Sequence, residues 1–106
     1  MDVIHHGAFE GVTGSCHELL LDSDHSLLID CGLFQGAETS GSGADSNTQE
    51  IDFDISKVQA LVVTHCHIDH VGRIPWLLIA GFTGPIYCTK ATAHLLPLVI
   101  EDALKV

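Results

Sequence analysis

Apolar residues in this chain come in short blocks, each closed by turn chemistry. Val3 to Phe9 and Glu18 to Leu21 read as strands joined by a turn at Gly11 to Ser15. Leu27 to Ile29 is a third strand, reached through the polar turn Asp22-Ser23-Asp24. Short blocks separated by turns predict an antiparallel meander. Gln35 to Glu50 is rich in Gly, Ser, Thr and acids and has no apolar period, so it reads as a loop, either a solvated linker or a substrate-facing flap. Ile55 to Val58 is expected to form a short helical turn, and Ala60-Leu61-Val62-Val63-Thr64 a buried strand. Ile74 to Ala80 predicts a helix, with Pro75 in its first turn and Gly81 ending it. Pro85 to Cys88 is a further strand. Thr89 or Thr92 caps a last helix toward Lys105, which Pro97 either kinks or begins. The order is that of an α/β protein with helices on a mixed sheet.

Composition narrows this picture. At 106 residues the chain is at most one domain, and 46% hydrophobic residues suffice for a modest core without disulfides. No stretch approaches the ~20 apolar residues of a membrane span. Met1 to His6 lacks the basic start and apolar centre of a signal peptide, so a cytoplasmic location is expected. Cys16, Cys31, Cys66 and Cys88 form no C-x-x-C pair and each adjoins an apolar run, as buried free thiols do. The net charge of −10, from fourteen acids against four basic residues, argues against a nucleic-acid docking surface, because phosphate binding needs clustered Lys and Arg.

The chemistry is concentrated in His65-Cys66-His67-Ile68-Asp69-His70, which follows the predicted buried strand. Four metal-ligand side chains in six positions at a strand end are a poor match to chance. His65 and His67 are two apart, so extended backbone sends both imidazoles to one side. Asp69 and His70 lie where the chain can turn back and offer a second pair, which suggests two metal ions. Imidazole and carboxylate without thiolate suit zinc ahead of manganese or iron. Cys66 should point away from the flanking imidazoles and is not counted as a ligand.

His65-x-His67-x-Asp69-His70 after an apolar strand resembles the signature of the metallo-β-lactamase fold. Three further stretches resemble its β-CASP branch, which includes RNA-processing nucleases and the cleavage and polyadenylation endonuclease. They are Gly11-Val12-Thr13-Gly14-Ser15-Cys16-His17, Leu27 to Gly36, and Arg73 to Leu78 with Gly84 to Thr89. The likeness covers nearly the whole chain except the loop around Gly36 to Gln49.

This resemblance implies the N-terminal half of an αββα sandwich, with residues 1–106 as the N-terminal portion of the domain and the β-CASP domain lying beyond it. It implies that His65 and His67 hold a first zinc and Asp69 and His70 a second, with further ligands from later sequence. Asp69 and Asp30 are the residues expected to serve catalysis, Asp69 as a ligand and Asp30 by orienting a ligand or a metal-bound water. An Asx turn with Gly32 is the structural alternative for Asp30. His5, His6, His17, His25 and His94 match no family ligand, and Ser15 and His17 receive no catalytic role.

The implied activity is phosphodiester hydrolysis in RNA, with RNA as the partner of the full-length protein. The 106 residues alone are expected to be inactive, to bind zinc weakly, and to self-associate as a dimer or higher oligomer. A small-molecule hydrolase acting on a thioester, lactone or lactam, or a non-catalytic assembly module, are the alternative readings.

Overall fold

The computed structural model describes residues 2–7, 13–34 and 49–104. The expected end of the first strand at Phe9, most of the Gln35 to Glu50 loop, and the helix end at Lys105 lie outside the described residues. β1 (Asp2–Gly7), β2 (Cys16–Leu20) and β3 (Ser26–Ile29) form the antiparallel meander. β4 (Val58–Val62) then pairs parallel to β3, and β5 (Ile86–Tyr87) parallel to β4. The result is one mixed five-stranded sheet in the order β1-β2-β3-β4-β5. Helices α1 (Ile68–Val71) and α2 (Ile74–Ile79) make the crossover from β4 to β5, and α3 (Lys90–Leu104) follows.

This topology decides where the chemistry falls. β2 runs antiparallel to β3, and β4 runs with β3. The start of β2, the end of β3 and the end of β4 therefore meet at one edge of the sheet, with the end of β1 beside them. Alternation along β2 buries Cys16 and Glu18 and leaves His17 on the opposite face, half-buried. The core is built on Leu28 and Leu61 from the sheet, Val63 just past β4, and Val71, Ile74, Leu77 and Phe82 from the covering helices and the segment after them.

Several boundaries differ from the sequence reading. The buried strand starts at Val58 and ends at Val62, two residues earlier than its apolar run. Ile55 to Val58 is a turn closed by Val58 N–H on Ile55 O at 3.0 Å, and not helical. α2 ends as expected, since Gly81 adopts φ 107. Thr89 caps α3, its hydroxyl accepting from Thr92 N–H at 3.2 Å. The helix starts at Lys90 and runs through Pro97, so Pro97 does not begin it.

All four cysteines are free, but only Cys16 and Cys31 are buried; Cys66 and Cys88 are partly exposed. A hydrogen bond to Cys31 and burial push the Cys16 thiol far above its ordinary value. Iodoacetamide is therefore expected to modify Cys66 and Cys88 in the native chain well before Cys16, because the thiolate is the reactive form. Mass-spectrometric labelling of Cys16 at the rate of Cys66 would contradict this.

Buried polar groups are paired. Glu18 accepts from Ser26 Oγ at 2.6 Å and His6 Nε2 at 2.9 Å, and Phe53 stacks on His6 at 3.6 Å. Arg73 is almost fully buried. Its Nε donates to Gly32 O, its Nη2 donates to Gly14 O at 3.4 Å, and its guanidinium lies 4.3 Å over the Phe34 ring. It thereby ties the turn before β2 and the loop after β3 to the α1–α2 joint.

Candidate metal centre

The ligand segment leaves the sheet at Val63 and turns into α1. α1 is a single turn, with His70 N–H on His67 O at 2.9 Å and Val71 N–H on the same oxygen at 3.1 Å. That turn brings His70 back toward His65. The two rings lie 3.7 Å apart between centroids, and those of His65 and His67 5.0 Å apart at 85°. Asp69 Oδ2 lies 3.5 Å from His70 Nε2. The four predicted ligands are thus gathered at one strand end, with His65 adjoining both His67 and His70.

Asp30 is the organising group. It follows β3, has φ 63, and is buried. Asp tolerates this left-handed conformation better than most residues because its short side chain can bond locally. Its carboxylate accepts from Thr64 N–H at 2.8 Å, from Thr64 Oγ1 at 2.7 Å, and from His70 Nδ1 at 2.8 Å. The Thr64 bonds fix the chain as it enters the ligand segment. The His70 bond places the ring hydrogen on Nδ1, so that Nε2 carries the free lone pair.

Backbone bonds lock the same region. Cys31 N–H donates to His70 O at 2.8 Å, Leu33 N–H to Ile68 O at 2.9 Å, and Ser15 N–H to Asp69 O at 3.0 Å. Gly32 makes this approach possible, since a Cβ there would meet Asp69 O at 1.6 Å.

Among the described residues, no three His, Cys, Asp or Glu side chains close around a common point. By their chemistry the donors fit a divalent metal: three imidazoles and a carboxylate without thiolate are a set suited to zinc. One of the imidazoles already carries the carboxylate partner that ligating histidines characteristically have.

Two residues given no role by the sequence reading lie beside this site. Ser15 Oγ is 3.4 Å from Asp30 Oδ2, and His17 Nε2 is 3.4 Å from Ser15 Oγ. His25 bonds Asp22 at an exposed turn, and His94 is exposed on α3.

Residues 13–104 match the profile described as Metallo-beta-lactamase superfamily. The chain is 46% identical, over its whole length, to a protein named Ribonuclease TTHA0252 from Thermus thermophilus, of which it spans 23%. It is 39% identical over 78% of its length to Transcription termination factor FttA of Methanocaldococcus jannaschii, spanning 13% of that protein. Over 94% of its length it is 30% identical to Cleavage and polyadenylation specificity factor subunit 3-II of Arabidopsis thaliana, spanning 16% of it. The chain thus spans less than a quarter of each of these relatives. It belongs to the metallo-β-lactamase superfamily, in the β-CASP branch its sequence resembles.

Proposed function

We propose that this chain supplies the ligand segment of a zinc-dependent hydrolase that cleaves phosphodiester bonds in RNA. The carrying observation is the His70 imidazole, fixed on Asp30 through Nδ1 and offering Nε2 beside Asp69 and His65. The names of the relatives, a ribonuclease and a cleavage and polyadenylation factor subunit, support RNA as substrate over a thioester, lactone or lactam.

His65 and His67 would hold one ion, and Asp69 and His70 a second. Zinc, when bound, supplies Lewis-acid stabilisation of charge on phosphoryl oxygens and acidifies water. The chain's own residues prepare the site. Asp30 fixes the tautomer of His70, Thr64 holds Asp30 in place, and Gly32 lets the Asp69 backbone lie against the loop after β3. In the same proposal residues 1–106 are the N-terminal portion of the metallo-β-lactamase domain, and the protein works in the cytoplasm. Among the described residues, no helix is long and apolar enough to cross a membrane.

The test is cleavage of a defined RNA by the protein of the full reading frame, beside a thioester substrate. His67→Ala is expected to lower the RNA rate by about 100-fold or more, since even partners one shell out cost 10–100-fold. Turnover of the thioester with no RNA cleavage would overturn the reading in favour of a small-molecule hydrolase.

The partner reading includes self-association of the 106-residue chain. Leu78 and Ile79 on α2, Tyr87 on β5, and Leu95 and Leu98 on α3 are exposed. Exposed apolar groups of this kind favour association, for which a symmetric dimer is the commonest closed form. Light scattering at moderate salt, where the −10 charge is screened, should show a dimer or larger species; a monomer at high concentration would refute it.

A further inference from the structure

We infer that Ser15 and His17 are positioning residues of the candidate metal centre, holding Asp30, and through it His70, in the orientation a ligand needs. This rests on reading His70 as a ligand, and extends the centre to a segment outside the ligand motif.

Asp30 Oδ2 faces His70 Nδ1 at 2.8 Å, Thr64 Oγ1 at 2.7 Å and Ser15 Oγ at 3.4 Å. Ser15 has one hydroxyl hydrogen, and two groups compete for it, Asp30 and His17 Nε2. If His17 carries its hydrogen on Nε2, it donates to Ser15 Oγ, and the hydroxyl hydrogen is free to point at Asp30. His17 Nδ1 is then an acceptor and takes the hydrogen of His5 Nδ1, 2.8 Å away. Each contact in the row then has one hydrogen. In the opposite tautomer His17 Nε2 is an acceptor that competes with Asp30 for the Ser15 hydrogen, and whenever His17 takes it two oxygens with unshared pairs face each other across 3.4 Å. The His17 tautomer therefore sets whether the Ser15 hydrogen is wholly available to Asp30. Burial, then the neighbouring His5, hold His17 below its ordinary value, so it is neutral and free to choose a tautomer at pH 7.

The Ser15 backbone donates to Asp69 O at 3.0 Å and accepts from Gly32 N–H at 2.9 Å. Its side chain reaches Asp30. One residue thus contacts the ligand segment, the loop after β3, and the carboxylate between them. Ser15 and Asp30 are buried, which limits replacement of these contacts by water.

The test uses the metal-free protein of the full reading frame, with the His70 tautomer read from ring ¹⁵N shifts and zinc affinity from calorimetry. Wild type should show His70 protonated on Nδ1. Ser15→Ala and His17→Ala should each shift His70 toward a tautomer mixture and weaken zinc binding about 10-fold, as loss of supporting partners typically does. His17→Gln, which keeps a side-chain N–H donor, should restore most of the loss. Circular dichroism separates this effect from unfolding, and the His17 variants serve if Ser15→Ala does not fold. An unchanged His70 tautomer and unchanged zinc affinity in the folded variants would overturn the inference. If wild type binds no zinc but the tautomer responds, the metal reading fails while the positioning role stands.

Discussion

Asp30→Ala should cost the chain about 3 kcal/mol of stability and most of its zinc affinity. The substitution removes the acceptor of Thr64 N–H, Thr64 Oγ1 and His70 Nδ1 together. A buried donor left unpaired costs about 1–3 kcal/mol. Thr64 is exposed and recovers part of this from water, which keeps the sum near the lower end. Alanine must also adopt the φ of 63 that Asp30 holds, at a further cost of about 1 kcal/mol. Asp30→Asn separates the two effects. Asparagine tolerates the same backbone and keeps one acceptor, so the stability loss should be about 1 kcal/mol. It no longer offers His70 a charged acceptor, and zinc affinity should still fall by about 10–100-fold. Urea unfolding and zinc calorimetry on the two variants check both claims. Wild-type values for Asp30→Ala would remove Asp30 from the centre of the site.

The sequence carried those features whose cause is local. Apolar run length announced the β4 strand, Pro75 and Gly81 bracketed α2, and Thr89 was one of two capping residues offered for α3, the one the structure uses. Side-chain chemistry and spacing picked out His65, His67, Asp69 and His70, which the fold gathers at one strand end. Features set by distant partners were not legible in that way. β4 ends at Val62 and not at Thr64, where the Asp30 carboxylate takes the Thr64 N–H in place of a strand partner. That stop signal sits more than thirty residues upstream. α1 is one turn long, too short for any apolar period. Ser15 and His17 reach the centre only because β2 runs antiparallel to β3, whereas a strand reading of Glu18 to Leu21 left them in or near the preceding turn with no catalytic role. Arg73 shows the same limit. Its charge predicts exposure, yet two backbone carbonyls and the Phe34 face hold it inside.

Gly32→Ala should disable the centre without touching any ligand side chain. A Cβ at this position would lie 1.6 Å from Asp69 O, 2.2 Å from Asp69 C and 2.9 Å from His70 N. These are backbone atoms, so no rotamer change relieves the clash. Either the loop after β3 or the Asp69–His70 segment must move by more than an ångström. Movement of either breaks the bonds that join them, Cys31 N–H to His70 O and Leu33 N–H to Ile68 O, along with Gly32 N–H to Ser15 O. Overpacking alone costs about 1–3 kcal/mol, and the lost hydrogen bonds add about 1 kcal/mol each. Asp30 precedes Gly32 by two residues, so the displacement also pulls its carboxylate from His70. Gly81→Ala is the matched control. Gly81 has φ 107 and nothing within 4 Å of an added Cβ. Its substitution should cost about 1–3 kcal/mol of backbone strain and leave zinc affinity unchanged, because it ends α2 away from the ligands. Zinc calorimetry on the two variants, each checked for folding, distinguishes a local lesion from general destabilisation. Equal zinc affinities would mean that the contact between the β3 loop and the ligand segment does not set the metal site.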